Sequence, residues 1–179
     1  MKIMNLKMFL FFAFLAIGVF PAVAGDNDEG IANIKGTSVD SQLSGVVSLK
    51  EVAEGVKVDV KLSNVPNPGP HGFHIHEKGS CEDAGNAAGG HYNPREMPHG
   101  LANKDEMAHA GDMGNIIIDE NGEGFLETIL PGVTLRDGDH NLEGRAIILH
   151  EKADDFGQPT GNAGGRIGCG IIEVTKEQS

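Results

Sequence analysis

The run Val56-Lys57-Val58-Asp59-Val60-Lys61-Leu62 alternates apolar and polar residues without a break. A strand with one face on a core and the other toward water satisfies that period of two, and a helix does not. Further strand-like runs lie near 31–37, 42–50, 71–76, 144–150 and 167–174. Asn121-Gly122, between Asn115-Ile116-Ile117-Ile118 and Phe125-Leu126-Glu127-Thr128-Ile129, predicts a hairpin whose loop exceeds two residues. The 26 glycines and 8 prolines punctuate these runs, and no long amphipathic helical stretch competes with them. The chain therefore reads as all-β, a single antiparallel sandwich or flattened barrel of about eight strands. Two segments, 77–113 and 151–166, do not read as strands, and long irregular loops inside a compact domain usually carry function.

The N-terminal segment is read separately from the fold. Lys2 and Lys7 precede an apolar stretch, Met8 to Phe20, that is short for a bilayer span, and Ala22-Val23-Ala24 fits a small-x-small cleavage site. Residues 1–24 are therefore expected to be a removable signal peptide, leaving one domain over 25–179 with no membrane attachment. The chain is expected to be exported, to the periplasm of a bacterium or otherwise outside the cell. Losing Lys2 and Lys7 takes the net charge from −12 to about −14. Such an acidic chain lacks the clustered Lys and Arg that nucleic acid requires. Cys81 and Cys169, the two cysteines, are expected to pair in an oxidising compartment. Closing a loop of about 90 residues contributes roughly 4–5 kcal/mol on the chain-entropy account, an upper figure.

The histidines are concentrated where the strand pattern breaks. His74 and His76 project to one face of a strand, so both rings can reach one ion. His91, His99, His109 and Asp112 offer three imidazoles and a carboxylate from a single loop, the complement of a four-coordinate zinc site. His150 ends the β run Ala146-Ile147-Ile148-Leu149. Singly, each of these is an ordinary polar strand or loop residue. Together they describe a nitrogen-rich transition-metal site rather than a calcium or magnesium site.

The motifs Gly72-Phe73-His74-Ile75-His76-Glu77, Gly89-Gly90-His91-Tyr92-Asn93-Pro94, Gly111-Asp112-Met113-Gly114-Asn115, Gly138-Asp139-His140, His150-Glu151-Lys152-Ala153-Asp154-Asp155 and Gly161-Asn162-Ala163-Gly164-Gly165-Arg166 occur in that order. Together they resemble the copper/zinc superoxide dismutases over essentially the whole of 25–179. That family is a known example of the β-sandwich, with Greek-key topology, so the two fold readings are not independent. The resemblance implies one copper held by His74, His76, His91 and His150. It implies one zinc held by His91, His99, His109 and Asp112, with His91 bridging the ions and passing a proton to nascent peroxide. Asp154 matches the carboxylate that links His74 to His99, Arg166 the arginine beside copper, and Thr160 a residue of the channel wall. The cysteine pair matches the family's disulfide, and superoxide is the implied substrate.

Phe156-Gly157-Gln158-Pro159 is far shorter than the charged loop of many animal members, so the source of substrate steering is open. Packing is the expected role of Met97, Met107 and Met113, and His71 and His140 match no ligand position. Two rival functions are a non-catalytic extracytoplasmic copper/zinc-binding protein and a structural sandwich domain without metals. Intact His150 and Arg166 count against the first, and seven intact ligand positions count against the second. A homodimer is the candidate assembly.

Overall fold

The computed structural model describes residues 28–104 and 107–175. The expected signal peptide, 1–24, lies outside the described residues.

The alternating run forms β3 (Gly55–Ser63), with Val56, Val58, Val60 and Leu62 buried and the residues between them half-buried or exposed. It pairs antiparallel with β2 (Ser44–Val52) through a tight turn that brings Gly55 opposite Val52. Gly55 has a φ of 143°, and a Cβ there would lie 2.1 Å from Leu130 O, so the turn excludes any larger residue. The remaining strands are β1 (Glu29–Gly36), β4 (Gly69–His76), β5 (Asp112–Ile118), β6 (Gly124–Pro131), β7 (Ala146–His150), β8 (Arg166–Ile171) and β9 (Glu173–Thr175). Neighbours run β2-β3-β6-β5-β4-β7-β8-β1, and β1 pairs again with β2, which closes an eight-stranded antiparallel barrel. The non-consecutive pairs β3–β6, β4–β7 and β8–β1 are long Greek-key returns. Phe73, Ile75, Leu62, Ile116, Leu130, Ile147 and Leu149 fill the interior with no measurable exposure beyond 1%. Truncating one of these to alanine costs about 2–5 kcal/mol.

Two expectations are refined. The strand expected over 167–174 is two pieces, β8 and β9, parted at Ile172. The Ile172 N–H donates to Arg145 O and its carbonyl accepts the Gly144 N–H, so both backbone groups leave the ladder there. The loop expected over 77–113 contains a short 3-10 helix, Asp83–Ala88, and its last residues, Asp112 and Met113, already belong to β5. The β5–β6 hairpin has the longer loop: the Glu123 N–H and the Asn121 N–H both donate to the Asp119 side chain.

Cys81 and Cys169 form a disulfide with Cα atoms 5.8 Å apart, closing a separation of 88 residues. It pins the segment before the 3-10 helix to β8. Among the described residues, no helix is long and apolar enough to cross a membrane.

Candidate metal centre

Strand β4 carries Phe73 and Ile75 into the barrel and His74 and His76 to its opposite side, with all four side chains buried. Strand β7 runs antiparallel beside it and delivers His150 next to both. His91 reaches the same place from the loop by a single bridge to His76. The rings of His74 and His91 are 4.1 Å apart between centroids, and those of His76 and His91 are 5.0 Å apart.

Hydrogen-bond partners decide which nitrogen of each ring carries a lone pair. His76 Nδ1 faces Gly89 O at 3.0 Å, and a carbonyl only accepts, so the proton is on Nδ1 and Nε2 is bare. His150 Nδ1 faces Gly164 O at 3.4 Å, which leaves its Nε2 bare in the same way. These two bare nitrogens face each other at 3.4 Å. His74 donates from Nε2 to Asp154 Oδ2 at 2.8 Å, and its Nδ1 is buried without a hydrogen-bond partner. His91 gives Nδ1 to Asp112 Oδ1 at 2.8 Å, leaving Nε2 for this group. Four lone pairs thus converge, one from each of His74, His76, His91 and His150, all within 4.8 Å of one another. Lone pairs facing lone pairs in a buried site require a cation between them, and imidazole nitrogen suits copper or zinc.

The second group is built around a carboxylate. His91, His99, His109 and Asp112 also place one ligand atom each within 4.8 Å, and all four are buried. His99 Nδ1 lies 2.7 Å from Asp112 Oδ2 and His109 Nδ1 lies 3.2 Å from Asp112 Oδ1, yet neither nitrogen makes a hydrogen bond. The atoms are close without hydrogen bonding, an arrangement that one shared ion would satisfy. Three imidazoles and one carboxylate match a closed zinc site. Asp154 joins the groups: besides His74 it accepts from His99 Nε2 at 3.0 Å.

Charge divides the two groups. Burial pushes His74 down to about 4, with the Asp154 hydrogen bond opposing it. Burial likewise pushes His76 down to about 2 and His150 down to about 3, so these rings are neutral and ready to ligate at neutral pH. His99 goes the other way: burial opposes its charge, but Asp112 and Asp154 outweigh burial and raise it to about 9. Asp112 is held far below the usual carboxylate range; burial would raise it, but the three imidazoles beside it, His109, His91 and His99, prevail. In the protein without metal, a proton on His99 does part of the work a zinc ion would do.

Residues 43–172 match the copper/zinc superoxide dismutase family. The chain belongs to that family. It is 37% identical over 163 residues to the extracellular superoxide dismutase [Cu-Zn] of Haemonchus contortus, covering 87% of this chain and 81% of that protein. The extracellular superoxide dismutase [Cu-Zn] of Caenorhabditis elegans is 35% identical over 147 residues, covering 78% of this chain and 65% of that protein. The superoxide dismutase [Cu-Zn] of Paramecium bursaria Chlorella virus 1 is 37% identical over 146 residues. Among solved structures, the clock protein EA4 superposes with a TM-score of 0.74 at 36% identity, covering 84% of this chain and 96% of that one.

In this dismutase-family chain, a cavity of about 360 Å³ opens over His76, His91 and His150 and is walled by Thr160, Asn162, Ala163, Gly164 and Arg166. Arg166 begins β8 opposite His150. Its guanidinium donates to Gly85 O at 2.7 Å and Gly89 O at 2.6 Å, carbonyls of the segment that the disulfide anchors. Burial lowers its pKa, but a guanidinium remains charged at any working pH.

Every residue expected at the site is therefore brought to it, and three supporting residues were not anticipated. The buried His71 ring spans Asn67 O at 2.7 Å and His150 O at 2.8 Å, tying the end of β7 to β4. Asn115 clamps the Asp154 backbone, donating to its carbonyl at 2.9 Å and accepting its N–H at 2.7 Å. Gln158 makes a similar clamp on His99. Their roles depend on partners 39 to 79 positions away, which no local pattern encodes. Among the loop methionines, Met113 packs in the core but Met107 is exposed, so packing accounts for the first and not the second.

Proposed function

We propose that this chain works outside the cytoplasm as a copper/zinc superoxide dismutase, with copper on His74, His76, His91 and His150 and zinc on His91, His99, His109 and Asp112. The observation that carries the reading is the pair of buried four-ligand groups sharing His91, each with its ligand atoms within 4.8 Å of one another. When bound, copper supplies the one-electron couple for both half-reactions, while zinc has no redox chemistry and supplies charge and geometry.

The chain's own residues do the rest. Arg166, at the cavity wall, attracts and orients the superoxide anion beside His150 and His91. One superoxide gives up its electron and leaves as oxygen. A second gains that electron and two protons and leaves as hydrogen peroxide. His91 holds one of those protons at Nε2, on the cavity side, while its Nδ1 faces the zinc-side group beside Asp112. Asp154 keeps His74 and His99 in register across the two groups. Thr160 stands with Arg166 in the cavity wall.

An extracellular location agrees with the relatives named above, and the removable signal peptide over 1–24, followed by the domain 25–179, is the route we assign to it. The mature chain is read as free of membrane, periplasmic if bacterial and otherwise secreted, with a homodimer as the candidate assembly. Two measurements on the purified mature protein test the function: metal content, and superoxide consumption in a coupled assay. One copper and one zinc per chain with rapid consumption is expected. Full metal content without turnover would leave a copper/zinc-binding protein instead.

A further inference from the structure

The short segment Phe156-Gly157-Gln158-Pro159 has no base with which to guide an anion, but it is in direct contact with the zinc-side loop. The His99 N–H donates to Gln158 Oε1 at 2.9 Å, and Gln158 Nε2 donates to His99 O at 2.8 Å. One side-chain amide thereby holds both backbone polar groups of a single residue, which fixes that residue's position and rotation together. Phe156 adds a second hold. Its ring lies over the His99 ring, with centroids 6.3 Å apart and planes 20° from parallel.

Phe156 makes this contact from a backbone φ of 59°, a region bulky residues rarely adopt, while 46% exposed to water. Core burial does not explain a half-exposed ring on a disfavoured backbone; contact with His99 does. Its N–H donates to Asp154 Oδ1 at 2.8 Å, so the same segment also steadies the carboxylate that His99 bonds. The packing here is tight: a Cβ on Gly161 would lie 1.9 Å from Asp154 Oδ1 and 2.7 Å from His99 Nε2.

We propose that Gln158, assisted by Phe156, is a positioning residue for His99, and that the shortened segment is an external clamp that slows zinc release. This rests on the reading of His99 as a zinc ligand. Outer partners of metal ligands commonly set affinity and exchange in this way.

The test uses the copper- and zinc-loaded protein. Gln158→Met keeps the side-chain length and removes both polar groups, whereas Gln158→Glu keeps the acceptor and loses the donor. Zinc transfer to a chelating indicator at neutral pH should be about fivefold or more faster in Gln158→Met, and intermediate in Gln158→Glu. Copper release should stay within about twofold of wild type, since the copper histidines have other partners. With cobalt in the zinc site, the visible bands of Gln158→Met should shift, a signature of altered ligand geometry. The metal-free variant should keep its thermal midpoint within about 2 °C of metal-free wild type. Wild-type zinc release and cobalt bands would overturn the clamp. So would parallel loss of copper, or a large drop in the metal-free midpoint, because the amide would then be holding the fold rather than His99. His99→Ala separates the two levels: a full zinc complement in that variant sinks the ligand reading itself, whatever Gln158 does.

Discussion

The two halves of the metal centre are built from different materials. His74, His76 and His150 stand on β4 and β7, neighbouring strands of the barrel, and burial keeps them neutral. His91, His99 and His109 stand on a loop, and the group they form with Asp112 is held by charge. The strand-borne histidines need few tethers because the sheet already fixes their backbones. The loop-borne group depends on Asp112, Asp154 and the Gln158 amide, each of which replaces a rigidity the ladder supplies elsewhere. The strand-borne histidines His76 and His150 face the cavity from the stiff side; the group around Asp112 sits under loops that must be tied down.

The largest effect expected from breaking this contrast comes from the strand-borne half. His150→Ala removes a ligand proposed to serve copper alone, so copper-dependent turnover should fall to background while zinc content and the β-rich circular dichroism persist. Retained turnover with copper bound would undo the assignment. The loop-borne half should fail in the opposite sense. Asp112→Ala deletes the only carboxylate of its group, and zinc affinity should drop by more than about 100-fold, beyond what loss of an outer partner costs. Copper should still bind, and competition with a zinc chelator gives the readout. If zinc binds that variant as tightly as wild type, charge is not what organises the loop.

A smaller effect is expected at the cavity mouth. The chain is acidic, with net charge −12, so attracting an anion needs a local positive potential, and Arg166 supplies one at the cavity wall. Arg166→Glu should slow superoxide consumption by about tenfold or more and flatten or invert its dependence on ionic strength, with copper content unchanged. A wild-type salt slope would remove Arg166 from the steering of substrate.

The pH dependence of the metal-free protein sharpens the comparison most finely. His74, His76 and His150 have folded pKa values near 4, 2 and 3, below the ordinary 6.5, so the unfolded chain binds more protons between those values and 6.5. Their stability contribution is lost as pH falls below about 6.5. His99, raised to about 9, binds its proton more tightly when folded; its contribution is complete below 6.5 and lost as pH rises toward 9. Urea midpoints of chelator-treated protein should therefore peak near pH 6.5. His99→Gln should flatten the alkaline limb, and His150→Gln should reduce the acid limb only. A single mutation that changes both limbs alike would show that the two groups titrate as one.

Much of this was legible before any coordinates. The alternation in Val56–Leu62 marked a half-buried strand because side chains on a strand repeat every two residues. His74-x-His76 pointed to one face for the same reason, and two cysteines in an exported chain had one way to pair. The metal ligands were named residue by residue through family motifs, since ligand type and spacing persist where loop geometry drifts. The break at Ile172 was not legible, because it follows from hydrogen bonds to Gly144 and Arg145 across the barrel.

The sequence alone determined the β class, which is written in local period, and through family motifs it supplied a candidate set of metal-binding residues and the chemistry those residue types favour. Only the tertiary structure decided which nitrogen of each ring is bare, which histidines are neutral or charged, and which distant groups hold them. His71 on His150, Asn115 on Asp154 and Gln158 on His99 are contacts between segments that the barrel's long returns bring together. Protonation and ligand geometry depend on burial and on partners within about 3 Å, and those exist only once the chain has closed on itself.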